Sequence, residues 1–218
     1  MKRQINEILY AFNKLIILLF LIFAISCQKG NNQNPAQTAN LGGPNIIYTA
    51  IIPDSVILDL NSQRQYNLDL NNDGIIDFVF TETADPSTDC RASNGITYSG
   101  DVKPSSASNN AIVYDGAVPR PLDSLTVIDA NSSWTKDSAN EWLYSNTIGP
   151  AAKCDPPGGP WDYAIPANQY LGLKFIKNGN TYYAWARISK GIDATSLMLQ
   201  GYAYDIIPNQ QILAGQTK

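Results

Sequence analysis

Histidine is absent from the 218 residues, and this absence excludes whole classes of chemistry. Without imidazole there is no Ser-His-Asp or Cys-His pair for nucleophilic catalysis. The usual His-ligated zinc and haem sites are excluded as well. Glutamate is nearly as scarce, with Glu7, Glu82 and Glu141 the full set. No segment after residue 26 carries a sustained 3.6-residue apolar period bounded by helix caps. Long apolar runs are missing too, apart from the eleven residues Leu15 to Ile25, well short of the roughly 20 that cross a bilayer as a helix. What remains for chemistry is carboxylates, hydroxyls, amides and hard-metal sites.

The apolar run sits behind a basic start (Lys2, Arg3, Lys14) and ends in Ala24-Ile25-Ser26-Cys27. Its length is that of a signal-peptide core. The terminal tetrapeptide resembles the bacterial lipobox, although Ala24 stands where leucine is usual. That resemblance implies cleavage before Cys27, a lipid on its sulfur and anchoring of the mature chain to the bacterial cell envelope as an outer-membrane lipoprotein, facing the periplasm or the surface. The alternative is an ordinary secretory peptide with an incidental cysteine. Removing residues 1–26 lowers Lys+Arg from 15 to 12 and Asp+Glu from 19 to 18, leaving a net charge of about −6. An acidic chain is a poor partner for nucleic acid, whose phosphates need Lys and Arg. It also lacks a polybasic membrane patch, so attachment would depend on the lipid.

With Cys27 assigned to the lipid, Cys90 and Cys154 remain. In an oxidising compartment such a pair is expected to form a disulfide. It would close a loop of about 64 residues and add about 3–4 kcal/mol by the chain-entropy argument. Two free thiols are the alternative.

Residues 27–44 are almost devoid of apolar side chains and read as a flexible tether. Residues 45–218 suit one domain. Strand-like runs rich in Tyr, Ile, Val, Thr and Phe recur at Ile46–Ile52, Ser55–Leu60, Arg64–Leu70, Ile75–Thr83, Ala111–Tyr114, Leu125–Asp129, Tyr170–Lys177, Thr181–Ser189, Leu197–Tyr204 and Gln211–Ala214. Asn178-Gly179-Asn180 between two of them is a strong hairpin signal. The expected fold is all-β, an antiparallel two-layer β-sandwich with long loops. The stretches 84–121 and 131–166, rich in Ser, Asn, Gly and Pro, are expected to be those loops.

One segment has the composition of a metal site. In Asp69-Leu70-Asn71-Asn72-Asp73-Gly74-Ile75-Ile76-Asp77, oxygen donors fall at Asp69, Asn71 and Asp73, a glycine follows, and Asp77 closes the loop. Ca²⁺ takes six to eight oxygens, and the carbonyl of Ile75 could add one. An EF-hand is excluded, because position 12 of that loop would be Phe80 instead of a bidentate glutamate. The alternative is a metal-free turn, since Asn, Asp and Gly are also turn formers. The pattern resembles the Asp-x-Asn-x-Asp-Gly-x-x-Asp calcium loops of integrin-type propeller repeats and related extracellular bacterial proteins. It occurs once here, which argues against a propeller. A structural Ca²⁺ is the expectation.

The order of this loop, then Tyr170-Leu171-Gly172-Leu173-Lys174-Phe175, Tyr183-Ala184-Trp185-Ala186-Arg187-Ile188, Gly201-Tyr202-Ala203-Tyr204-Asp205 and Ile212-Leu213-Ala214-Gly215-Gln216, resembles a loose group of exported bacterial proteins. They are anchored by lipid or by a C-terminal sorting segment of the PEP-CTERM kind, and several come from Bacteroidetes-like bacteria. The resemblance covers the two ends of the domain. It implies fold, calcium and envelope localisation, and no established activity.

Two functional readings follow. In one, a non-catalytic domain binds glycan or a surface protein, with Trp134, Trp142, Trp161 and Tyr163 as stacking residues; the plainer role for these rings is to anchor loops on the core. In the other, a carboxylate-dependent glycoside hydrolase uses Glu141, Asp155 or Asp162, with no motif to tie them together. The anchoring expectation is directly testable. Labelled palmitate should enter the protein when the full chain is expressed in a bacterium, and Cys27→Ala should abolish incorporation. Label retained in that variant would remove the lipid-anchor reading.

Overall fold

Asn178 and Gly179 turn the chain through a two-residue hairpin with φ of 51° and 77°. Positive φ at both positions matches the twist of the flanking strands, and Lys177 faces Asn180 directly across the turn. The computed structural model describes residues 45–56, 64–86, 95–105, 109–116, 118–136, 142–148, 158–159, 161, 169–190 and 196–218, with backbone alone at 53–56, 64, 142 and 190. Among them the elements are β1 (Ile46–Val56), β2 (Arg64–Leu68), β3 (Phe78–Pro86), β4 (Ile96–Pro104), β5 (Ala111–Val113), β6 (Pro121–Leu122), β7 (Val127–Ile128), β8 (Trp134–Thr135), β9 (Trp142–Ile148), β10 (Gln169–Lys177), β11 (Asn180–Lys190), β12 (Leu197–Asp205) and β13 (Ile212–Leu213).

The protein is an all-β antiparallel sandwich. One sheet runs β1-β12-β11-β10-β5-β8, with β6 also paired to β10; a second runs β2-β3-β4-β9; β13 and β7 form a small ribbon. Leu68, Phe78, Phe80, Val102, Leu143 and Tyr144 of the smaller sheet meet Ile112, Leu171, Leu173, Phe175, Ala184, Ala186, Ile188, Leu197 and Leu199 of the larger one. Those side chains form the core between the layers.

The larger sheet is apolar on its other face as well. Tyr183, Trp185 and Ala203 pack there against Val113, Leu122, Ile128, Ile212 and Ala214. The β7–β13 ribbon closes over that face, which explains why the strands carry consecutive apolar residues, as in Tyr182-Tyr183-Ala184-Trp185-Ala186 of β11. A sheet with one wet face would show strict alternation.

Two long strands, β4 and β9, and the two-residue β8 lie where loops are expected from the sequence. In β4, Tyr98, Gly100 and Val102 are buried while Thr97, Ser99 and Lys103 are not. The inward residues alternate as a strand demands, but a glycine and a run of Ser, Asp and Lys dilute the apolar signal. In β9 the alternation itself is broken. A register shift at Gly100/Asp101 leaves Leu143 and Tyr144, adjacent in sequence, both fully buried. β1 carries the first expected run, Ile46–Ile52, through Pro53 and Asp54 into Ser55 and Val56 of the second, with an irregularity against β12 between Ala50 and Ser55; residues 57–60 of that second run lie outside the described residues.

Gly172 sits in β10 opposite Trp185, and a Cβ added there would lie 2.4 Å from Val113 Cγ2 and 3.1 Å from Leu122 Cδ1. Both neighbours are buried, so the second core is built on the lack of a side chain at 172. Gly172→Ala should destabilise by about 1–3 kcal/mol through overpacking, read as a lower denaturant midpoint with unchanged slope. An unchanged midpoint would show that β5 and β6 yield freely.

Candidate functional site

The Asp/Asn/Gly segment is the connection between β2 and β3. The antiparallel ladder continues one step past the strands, with the Asp77 N–H donating to the Leu68 carbonyl at 2.8 Å. Beyond it the chain loops out through Asn72 (φ 56°) and Gly74 (φ 86°). Asparagine and glycine are the residues that tolerate this left-handed backbone.

The carboxylates hold the loop from inside. Asp69 accepts from the N–H of Asp73 at Oδ1 (3.2 Å) and of Gly74 at Oδ2 (2.7 Å). Asp73 Oδ1 accepts from Ile75 N–H (3.0 Å). Asp77, only 4% exposed, accepts from Leu70 N–H at Oδ2 (2.9 Å). The side-chain amide of Asn110, which is wholly buried, donates to both the carbonyl and Oδ1 of Asp77 at 3.1 Å. On its other side Asn110 Oδ1 accepts from Ile176 N–H of β10 at 2.9 Å. Lys177, the next residue of β10, places Nζ 3.5 Å from Asp73 Oδ2.

Burial pushes the Asp77 carboxyl above the usual carboxylate range; the bonds from Leu70 and Asn110 oppose this, and the nearby Asp69 and Asp73 charges add to it. Asp77 is thus a buried acid whose neighbours include two further acids.

Asp69 and Asp77 accept a hydrogen bond at both carboxylate oxygens and Asp73 at Oδ1, while Asp73 Oδ2 faces Lys177. Among the described residues no three Asp, Glu, Cys or His side chains are gathered into a group able to hold a metal ion. A cation in this loop would need the amide oxygen of Asn71 and the Ile75 carbonyl beside the carboxylates. Asn71 Oδ1 is an unused oxygen of this loop: the atom is buried and has no hydrogen-bond partner, a costly condition for an amide oxygen that a hard cation would relieve. The side chain of Ile75 is hydrocarbon, so only its main-chain carbonyl is available for ligation.

The aromatic candidates divide. Trp161 is 1% exposed and donates its indole N–H to the Pro119 carbonyl at 2.9 Å. It fills the inter-sheet core and has no face free for a sugar, which removes it from the stacking residues. Trp134 is partly buried, donates to the Asp129 carbonyl (3.0 Å), stacks on Tyr183 with centroids 5.8 Å apart and carries Lys174 Nζ 4.6 Å from its ring centroid. Trp142 contributes backbone to β9, and its side chain lies outside the described residues. Tyr163, Cys27, Cys90, Cys154, Glu141, Asp155 and Asp162 also lie outside them.

Glu82 is 1% exposed. Its Oε1 accepts from the hydroxyl of buried Tyr144, and its Oε2 accepts from Leu197 N–H of β12 at 2.8 Å. It therefore joins the two sheets inside the core. Neither Asn110 nor this bridging role of Glu82 is marked in the sequence. A lone polar residue carries no periodic signal, and only the fold shows what it faces.

No protein-family model matches the chain, and no match is found among curated proteins or solved structures.

The electrostatics predict a pH dependence. Folding raises the Asp77 pKa, so the folded state binds the proton more tightly than the unfolded chain does. The associated stability is fully present below the unfolded value near 3.8 and is lost as pH rises through the folded value. In excess EDTA, Asp77→Asn should reduce the fall in melting temperature across this mildly acidic window. An identical slope in variant and wild type would show that Asp77 does not titrate in it.

Proposed function

We propose that this chain is a lipid-tethered, extracytoplasmic β-sandwich domain whose β2–β3 loop binds a structural Ca²⁺, and that it acts as a non-catalytic binding or surface-assembly module. The observation that carries the calcium reading is the buried, unpartnered Asn71 Oδ1 in the same loop as buried Asp77. Asp69, Asn71, Asp73 and Asp77, with the Ile75 carbonyl, would hold the ion through hard oxygen donors. When bound, the ion would offset two of the three carboxylate charges of the loop and stiffen the junction between β2 and β3. The tether reading is supported by the Ala24-Ile25-Ser26-Cys27 motif and the polar run that follows.

A structural role suits the position of the loop. Asn110 and Lys177 tie it to β10 of the opposite sheet, so a cation there would brace both layers. Glu82, the one glutamate among the described residues, is consumed by core hydrogen bonds and supports no hydrolase.

The test is thermal unfolding of the full-length protein in detergent, in EDTA and with millimolar Ca²⁺, beside Asp73→Ala. At 100 times its dissociation constant a ligand adds about 2.7 kcal/mol. Ca²⁺ should raise the melting temperature of the wild type and leave Asp73→Ala unchanged. Equal melting of the wild type with and without Ca²⁺ would reduce the loop to a turn.

A further inference from the structure

We propose that Lys177 is the resident counter-cation of the β2–β3 loop, and that a divalent cation binds there in competition with its ammonium group. This rests on the reading of the loop as a cation site, and it assigns the residue that sets the affinity of that site.

The hydrogen bonds on Asp69 and Asp77, and that on Asp73 Oδ1, come from neutral donors: the backbone N–H groups of Leu70, Asp73, Gly74 and Ile75, and the Asn110 amide. Such donors orient a carboxylate without cancelling its charge. Among the described residues, the formal positive charge paired with the loop is Lys177 Nζ, 3.5 Å from Asp73 Oδ2. It reaches the loop from the other sheet. Its backbone is held by the Lys177–Asn180 register of the β10–β11 hairpin, and Ile176 just before it is hydrogen-bonded to Asn110. The base of the lysine is thus fixed relative to the loop by two separate constraints.

Its tip is not fixed. The Lys177 and Asp73 side chains are 39% and 25% exposed, and an ion pair this open to water is weakly held. Four flexible carbons allow the ammonium to swing out. A single ammonium also leaves Asn71 Oδ1 buried without a partner, so the lysine balances part of the charge and leaves one oxygen donor unused. A dication with six to eight oxygen ligands can use that donor and displace the lysine. While the lysine remains nearby its charge opposes the ion. At separations of about 5–6 Å in water, repulsion between one and two charges is worth about an order of magnitude in affinity.

Calcium titration calorimetry on the full-length protein in detergent tests this with wild type, Lys177→Met, Lys177→Arg and Asp73→Ala. Lys177→Met keeps the length of the stem and removes the charge, and should bind Ca²⁺ several-fold to about tenfold more tightly. Lys177→Arg keeps the charge and should bind like wild type, which a merely steric role at this position would not require. Asp73→Ala should lose binding. Binding by Lys177→Met where wild type shows none would also support the competition. Equal affinity of wild type and Lys177→Met would overturn the role of Lys177 and leave the calcium loop standing. No binding by any variant would overturn both.

Discussion

Asn110 is a neutral side chain with no exposed surface, and it joins the two sheets at the one loop with metal-site composition. Its Nδ2 serves the carbonyl and carboxylate of Asp77 in the smaller sheet, and its Oδ1 serves Ile176 in the larger. An amide buried this deeply is tolerated only when both ends are satisfied, because each orphaned group would cost about 1–3 kcal/mol. The hydrogen bonds therefore fix the distance between β3 and β10, and with it the approach of Lys177 to Asp73. Glu82 does the same at another point of the sandwich, joining Tyr144 and Leu197. Hydrophobic burial holds the layers together without direction. These polar contacts give the pairing its register.

The second core has a separate physical basis. A sheet covered on both faces needs a second set of apolar side chains and something to lay against them. Here β6, the β7–β13 ribbon and Trp134 provide the cover, and Gly172 provides the room. Tyr48 and Tyr170 pack on Trp185 with centroids 5.7 Å and 5.2 Å away, and the Trp185 indole donates to the Gln216 carbonyl near the C-terminus. Ile212, Leu213 and Ala214 are thereby part of the domain's interior. Of the aromatic residues that suggest a ligand platform in the sequence, Trp134 is engaged in this packing and Trp161 in the core between the layers.

Much of the fold was legible in advance, for identifiable reasons. Asn178-Gly179 has one good backbone solution, and the apolar runs beside it are long. The β2–β3 loop was legible because Asp, Asn and Gly at fixed spacing constrain the backbone locally. The strands β4 and β9 were not, since half of β4 faces away from the core with Ser, Asp and Lys, and a register shift breaks the alternation of β9. The choice between the two roles of Trp161 was not legible for a related reason: a tryptophan in a Pro- and Gly-rich stretch has the same local context whether it covers a surface or plugs a core.

The sequence by itself determined the all-β class, the principal hairpin, the position of the acidic loop and the exclusion of histidine chemistry, because these depend on residue type and short-range spacing. Only the tertiary structure decided that the larger sheet is buried on both faces, that Asn110 and Glu82 link the layers, and that Lys177 stands at Asp73. Those facts depend on residues separated by 33 to 115 positions in the chain. Contacts at that range are set by how sheets stack, and no local pattern records them.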